Sequence, residues 1–277
     1  MNQLVVFFGA IGDTILFSPA LKELSKKGDV FVVGYPERMS LLEKVGWVKK
    51  TFSPEDIDFT SLFSSPSERL RTFLANFDVV FLFLRNADVL VNKVKDIGIA
   101  HVYAFGGTPP EDWSLHAVDY YLHCLGCPSI TEFVLPIKPG GYHGNIIIHP
   151  GSGSPKKNMP CAFFEELTDR LQCKGLPVCW CLGPAEETLE VPKNVQIYKE
   201  SNLVRLTEYI GGGSVFIGND SGISHIAGAV GVNTLVLFRT TNPNVWKPLG
   251  PNVYIFKMED AIIPKVIDTI FHLYSNQ

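Results

Sequence analysis

The feature that most constrains this chain is an opening used twice. A short, continuously apolar run leads into glycines and then into a helical pattern, first at Leu4–Phe8 and again at Asn145–His149. Unbroken apolar runs of strand length, spaced by helices, fit parallel sheets covered on both faces. Further strands are predicted at Val30–Val33, Val79–Leu84 and Ile99–Phe105 in the first half. The second half adds Val178–Leu182, Val215–Gly218, Thr234–Phe238 and Val253–Phe256. Helical periodicity marks Thr14–Lys26, Cys161–Lys174, Leu203–Ile210 and Ser224–Val230. Residues 53–76, punctuated by Ser and Pro, carry only weak periodicity.

The fold class that follows is α/β, with two Rossmann-like units. The segment from Pro136 to Gly144 has the densest Pro and Gly punctuation and reads as a linker, giving expected domains 1–138 and 139–277. A length of 277 residues and 46% hydrophobic residues allow two cores of that size. The net charge of −4 argues against a general nucleic-acid binder, which needs a basic field. The first residues lack a basic stretch ahead of the apolar run, and no apolar run reaches the length of a membrane span. The expectation is a cytoplasmic protein. Six cysteines include one CxxC, Cys124 to Cys127, which without a second pair is a weak metal or redox signal. All six are expected to be plain buried thiols.

Four places could carry chemistry. In Gly9-Ala-Ile-Gly-Asp13, Gly12 would allow a tight turn with a helix from about Asp13. The spacing is not that of a dinucleotide fingerprint. Asp13 at a strand's carboxyl end reads equally as a helix cap or as a general base. In His149-Pro-Gly-Ser-Gly-Ser-Pro-Lys-Lys157, Gly151, Ser152 and Gly153 free backbone N–H groups, and Lys156 and Lys157 add charge beside them. The pattern is not a Walker A loop, but phosphate binding is the better reading. After the next strand, Glu186 or Glu187 could hold ribose hydroxyls or simply open a helix. Finally, Asp220-Ser-Gly-Ile-Ser-His225 opens a helix of small residues whose N-terminus suits a diphosphate, with Ser221, Gly222 and Ser224 small and polar. Asp220 would repel phosphate directly, which assigns it to capping or to holding a hydroxyl. His225 lies one turn in, where it could orient a phosphate.

Taken in order, these segments resemble glycosyltransferase family 9, the heptosyltransferases of lipopolysaccharide core assembly. The opening Gly-Asp motif before a Pro-containing helix, the Gly-Ser loop with Lys157-Asn-Met-Pro160, the Asp220–Ala229 segment and Thr240-Thr-Asn-Pro243 with Pro248 all match in sequence. The resemblance implies a GT-B fold, two Rossmann-like domains with the active site in the cleft between them. It implies an inverting transferase with no tightly bound cofactor or metal. An ADP-sugar would be the donor and a glycan or lipid-linked glycan the acceptor, with membrane contact at most peripheral, at the inner face of the inner membrane. By the same resemblance Asp13 is the base and Lys157 neutralises the donor phosphates. Ser221, Gly222 and His225 line the diphosphate pocket, and Glu186 or Glu187 meets the ribose. Met159 stands for the family's usual Trp, Ser221 for Thr and Arg239 for a frequent Gly. The chain is also shorter than typical members, and the missing length is expected in the acceptor-side domain. Two rival readings are a non-catalytic nucleotide-sugar binder and a nicotinamide-dependent oxidoreductase. The second is weakened by the absent dinucleotide fingerprint.

Overall fold

A computed structural model describes residues 1–183, 186, 187, 189 and 191–275. The chain divides into two compact units, Met1–Ile130 and Thr131–Gln277.

The first unit is built on five parallel strands: β1 (Asn2–Phe7), β2 (Asp29–Val33), β3 (Lys50–Phe52), β4 (Val79–Phe83) and β5 (His101–Phe105). Their order across the sheet is β3-β2-β1-β4-β5. The strand order reverses between β1 and β4, which pair in parallel register from Gln3↔Val79 to Phe7↔Phe83. β1 is central and buried along almost its whole length, as an unbroken apolar run requires when both sheet faces are covered. Helices α1 (Ile11–Ser25), α2 (Pro36–Lys44), α3 (Glu68–Leu74), α4 (Asp88–Lys95) and α5 (Ala117–Cys124) complete the unit.

Helix α1 starts ahead of its expected first residue. Gly12 therefore lies in the first helical turn, and Asp13 occupies the third helical position instead of the N-cap. The helix also tolerates Pro19 in its interior. Proline has no N–H to give the carbonyl of Ile15. The buried Ser18 hydroxyl donates to that carbonyl instead, at 2.6 Å. In the stretch that read poorly, a single 3₁₀ turn (Phe59–Phe63) precedes α3.

Among its described residues the second unit has six parallel strands: β6 (Ile146–His149), β7 (Val178–Leu182), β8 (Gln196–Lys199), β9 (Val215–Asn219), β10 (Asn233–Phe238) and β11 (Val253–Lys257). The order β11-β10-β9-β6-β7-β8 reverses between β6 and β9. Its helices are α6 (Cys161–Cys173), α7 (Leu203–Gly211), α8 (Gly222–Val230), α9 (Pro243–Trp246) and α10 (Ile263–Ser275). Met159, where a Trp was expected, is buried in the core with Phe164 and Trp180.

The Pro136–Gly144 stretch is not a free linker. The Leu135 N–H donates to Ala229 O, that of Gly140 to Glu208 O and that of His143 to Gly212 O. Phe133, Leu135 and Ile137 are buried. A glycine on the facing helix end permits this close approach: a Cβ on Gly212, which follows Gly211 at the end of the helix Leu203–Gly211, would stand 2.0 Å from the Gly141 carbonyl oxygen. The cysteines also depart from expectation. Cys179 and Cys181 are buried on β7, but Cys124, Cys127 and Cys161 are half-buried and Cys173 is exposed, all as free thiols.

Candidate functional site

Open parallel sheets bind ligands beyond the carboxyl ends of their strands, at the point where strand order reverses. In the first unit that point lies between β1 and β4, and a concavity of about 860 Å³ opens there. The volume falls within the ~300–1,000 Å³ usual for small-molecule sites. Its wall comes from three loops, Phe8 to Ala10 after β1, Leu84 to Asn86 after β4 and Gly106 to Glu111 after β5, together with Phe83 at the end of β4, Asp13 of α1 and Tyr120 of α5.

Asp13 is the acidic side chain that β1 delivers to this pocket. Its Oδ2 accepts the Ala10 N–H at 2.9 Å, which fixes the carboxylate at the start of α1. So Asp13 does cap its helix, from the third position, and it lines the pocket as well. Gly9 makes this placement possible: a Cβ there would fall 2.3 Å from the Phe7 ring and 2.7 Å from Asp13 Cβ. The loop after β5 is pinned by two phenols, Tyr120 to Gly106 O at 3.0 Å and Tyr121 to Gly107 O at 3.1 Å. Burial, and then the negative charge of Asp13, push the Tyr121 hydroxyl well above its ordinary range, so it stays a neutral donor. Across the pocket, Asn86 holds the left-handed conformation at φ 57°. Such backbone is costly for a residue with a side chain and tends to gather at ligand sites. Arg85, Asn86 and Glu111 carry no sequence motif, which is why reading the chain alone passed over them.

In the second unit the reversal lies between β6 and β9, and the remaining predicted residues gather at those strand ends. Asn219, the last residue of β9 and fully buried, ties them together. Its side chain donates to Pro150 O at 2.6 Å and accepts from Met159 N at 2.9 Å. That joins the loop after β6 and the start of α6 to the end of β9. Sequence reasoning gave Asn219 no role. Its one signal was an amide between a buried strand and a capping Asp-Ser.

Next to it, Asp220 is only 3% exposed and carries a concentrated set of partners. Lys157 Nζ lies 2.8 Å from its Oδ2, and the Thr241 hydroxyl donates to the same oxygen at 2.6 Å. His225 Nε2 stands 3.9 Å from the other oxygen. Lys157 sits on a 3₁₀ turn, Pro155–Lys157, with its side chain one-third exposed. Ser221 is the N-cap of α8, its hydroxyl accepting from Ser224 N at 3.3 Å. Gly222 and the next residue begin the helix, where N–H groups lack intrahelical partners and the dipole favours an anion.

The glycine-rich loop is partly self-occupied. The Ser152 hydroxyl is engaged with Ser154 O at 2.8 Å and with Asn158 Oδ1 at 2.5 Å, so it shapes the loop. Gly153 is open on its Cβ side. At Gly151 a Cβ would lie 1.6 Å from Glu186 Oε1. Glu186 is 5% exposed, and its other oxygen accepts the Gly183 N–H at 2.7 Å. Glu187 is exposed. Of the two acids, then, Glu186 faces the loop. Behind it the buried His149 bonds through Nδ1 to Cys181 O at 2.9 Å. Burial lowers its pKa, against the opposing pull of the Glu186 carboxylate and the Cys181 carbonyl. Neutral His149 thus backs the loop from below.

Among the described residues, no three His, Cys, Asp or Glu side chains gather as a metal site would require, and no helix is long and apolar enough to cross a membrane.

The family model described as glycosyltransferase family 9 (heptosyltransferase) matches residues 137–268. No curated protein matches the chain in sequence. Among solved structures, the glycosyl transferase family 9 protein from Veillonella parvula superposes with a TM-score of 0.80 at 16% identity, over 100% of this chain and 97% of that one. The E. coli ADP-heptose LPS heptosyltransferase II gives 0.78 at 15%, over 100% and 99%. The E. coli heptosyltransferase WaaC, solved with ADP, gives 0.72 at 17%, over 99% and 100%. The two parallel α/β units are those of the GT-B fold these structures share.

Proposed function

We propose that this chain, whose residues 137–268 form a glycosyltransferase family 9 domain, is an inverting glycosyltransferase. It moves a heptose or related sugar from an ADP-sugar to an acceptor hydroxyl on a glycan or lipid-linked glycan, in lipopolysaccharide core or related assembly. It works in the cytoplasm, at most touching the inner face of the inner membrane. The observation that carries the reading is the buried Asp220 with Lys157 beside it at 2.8 Å, at the mouth of α8 where the second sheet's order reverses.

The chemistry assigns a task to each group. Direct displacement forms a bond from the acceptor oxygen to the anomeric carbon as the carbon–oxygen bond to the diphosphate breaks, inverting the centre. The acceptor's proton must go to a base, and Asp13, fixed by Ala10 N–H in a ligand-sized pocket, takes it. The departing diphosphate gains charge, which Lys157 and the amides at Ser221 and Gly222 stabilise. Asp220 and His225 aim the lysine and complete the floor. Gly151, Ser152 and Gly153 bring backbone close to the nucleotide, and Glu186 meets the ribose.

A thermal-shift screen of nucleoside diphosphates, nucleotide sugars and NAD tests this. A ligand at 100 times its Kd adds about 2.7 kcal/mol of stability. Selective stabilisation by ADP and ADP-heptose is expected. Stabilisation by NAD alone would instead favour an oxidoreductase.

A further inference from the structure

The donor site assigned above has a charge problem. The diphosphate of a nucleotide sugar carries two negative charges and gains more as it leaves. Lys157 offers one positive charge, but the buried Asp220 carboxylate, 2.8 Å away, already offsets it. The N-terminus of α8 contributes about half a positive charge. The groups identified so far therefore leave the anion largely uncompensated.

A second cation stands on the same rim. Arg239 follows β10, two residues before the Thr241 that bonds Asp220. Its Nη1 donates to Asn158 O at 2.9 Å, the carbonyl of the residue next to Lys157. Asn158 is itself bound through Oδ1 to Ser152 of the glycine loop. The guanidinium is thus fastened to the residue that follows the lysine, and Asn158 in turn ties that point to the glycine loop. Only one of its five N–H donors is needed for that bond. Arg239 has no carboxylate partner among the described residues, so its charge is not cancelled as that of Lys157 is. Lys156, on the same turn, is exposed and makes no hydrogen bond or ion pair among the described residues. Nothing fixes its position.

We propose that Arg239 is a second cation of the donor site, binding the diphosphate of a nucleoside diphosphate or nucleotide sugar beside Lys157. The inference rests on the donor-site reading above. A guanidinium suits the task because it holds phosphate oxygens with paired N–H groups while one N–H stays on the turn.

The test is titration calorimetry of the full chain with ADP and with adenosine, at low and high salt. It compares the wild type with Arg239→Ala, Arg239→Gln and Arg239→Lys. Glutamine keeps an N–H for the Asn158 carbonyl but carries no charge. Alanine and glutamine are both expected to weaken ADP binding about tenfold, leave adenosine unchanged and flatten the salt dependence. Lysine is expected to retain most of the affinity. If glutamine binds ADP as the wild type does while alanine does not, Arg239 only anchors the turn and the proposal fails. It fails equally if both bind ADP like the wild type. A wild type with no affinity for ADP overturns the donor-site reading itself, and this inference with it.

Discussion

Lys157 and Asp220 form an ion pair at 2.8 Å in which the acid is buried and the base is one-third exposed. The pair holds the ammonium at the start of α8, and it means that any anion arriving there must share Lys157 with a carboxylate already in place. Replacing Lys157 by Ala should therefore weaken ADP far more than adenosine, by tenfold or more. Calorimetry with both ligands decides it, and an equal loss for the two would mean the lysine does not meet phosphate.

Gly151 and Gly153 lie two residues apart in one loop but should respond differently to a methyl group. At Gly151 the added Cβ would coincide with the Glu186 carboxylate, whereas at Gly153 no heavy atom of the described residues beyond its chain neighbours lies within 4 Å. Gly151→Ala is expected to cost about 1–3 kcal/mol of stability by forcing Glu186 off the loop. Gly153→Ala should stay within about 0.5 kcal/mol. Denaturant unfolding of the two variants measures the difference, and equal stabilities would contradict the close packing of Glu186 on Gly151.

His149 makes stability depend on pH. Burial holds its folded pKa below the ordinary 6.5. As pH falls below 6.5 the unfolded chain takes up the proton first, so the unfolded state binds more protons and stability drops. The contribution is fully present above 6.5 and is lost as pH falls toward the folded value. The melting temperature should decline between pH 7.5 and 5.5, and His149→Gln should make that decline shallower. Parallel curves for the two proteins would remove His149 as the cause.

Much of this was legible in the sequence because central parallel strands are written as unbroken apolar runs. β1, β4, β6, β7, β9 and β10 all fell within a residue or two of their expected places. The strands that escaped, Lys50–Phe52 and Gln196–Lys199, are short sheet edges with little apolar face to bury. The linker reading failed for a different reason. The glycines and prolines near 136–144 do break regular structure, but a sequence cannot distinguish a free segment from one fastened by backbone hydrogen bonds to Ala229, Glu208 and Gly212.

Within the candidate site, the groups placed by local rules were readable: Ser221 as an N-cap, and the glycine loop after β6. Those that act through distant partners were not. Asn219 reaches Pro150 and Met159, and Thr241 reaches Asp220 across 21 positions, so neither bond leaves a pattern along the chain. Asp13 could be read equally as a cap or as a functional acid. The structure shows the cap hydrogen bond and the pocket lining on the same carboxylate.

The central claim is that Asp13 serves the acceptor's proton and leaves the donor alone. The most direct measurement pairs sugar transfer from ADP-heptose with ADP affinity, for the wild type and Asp13→Ala. The account predicts a rate lower by about 10²–10⁴ with an unchanged Kd for ADP. Wild-type turnover in the Asp13→Ala protein would contradict it.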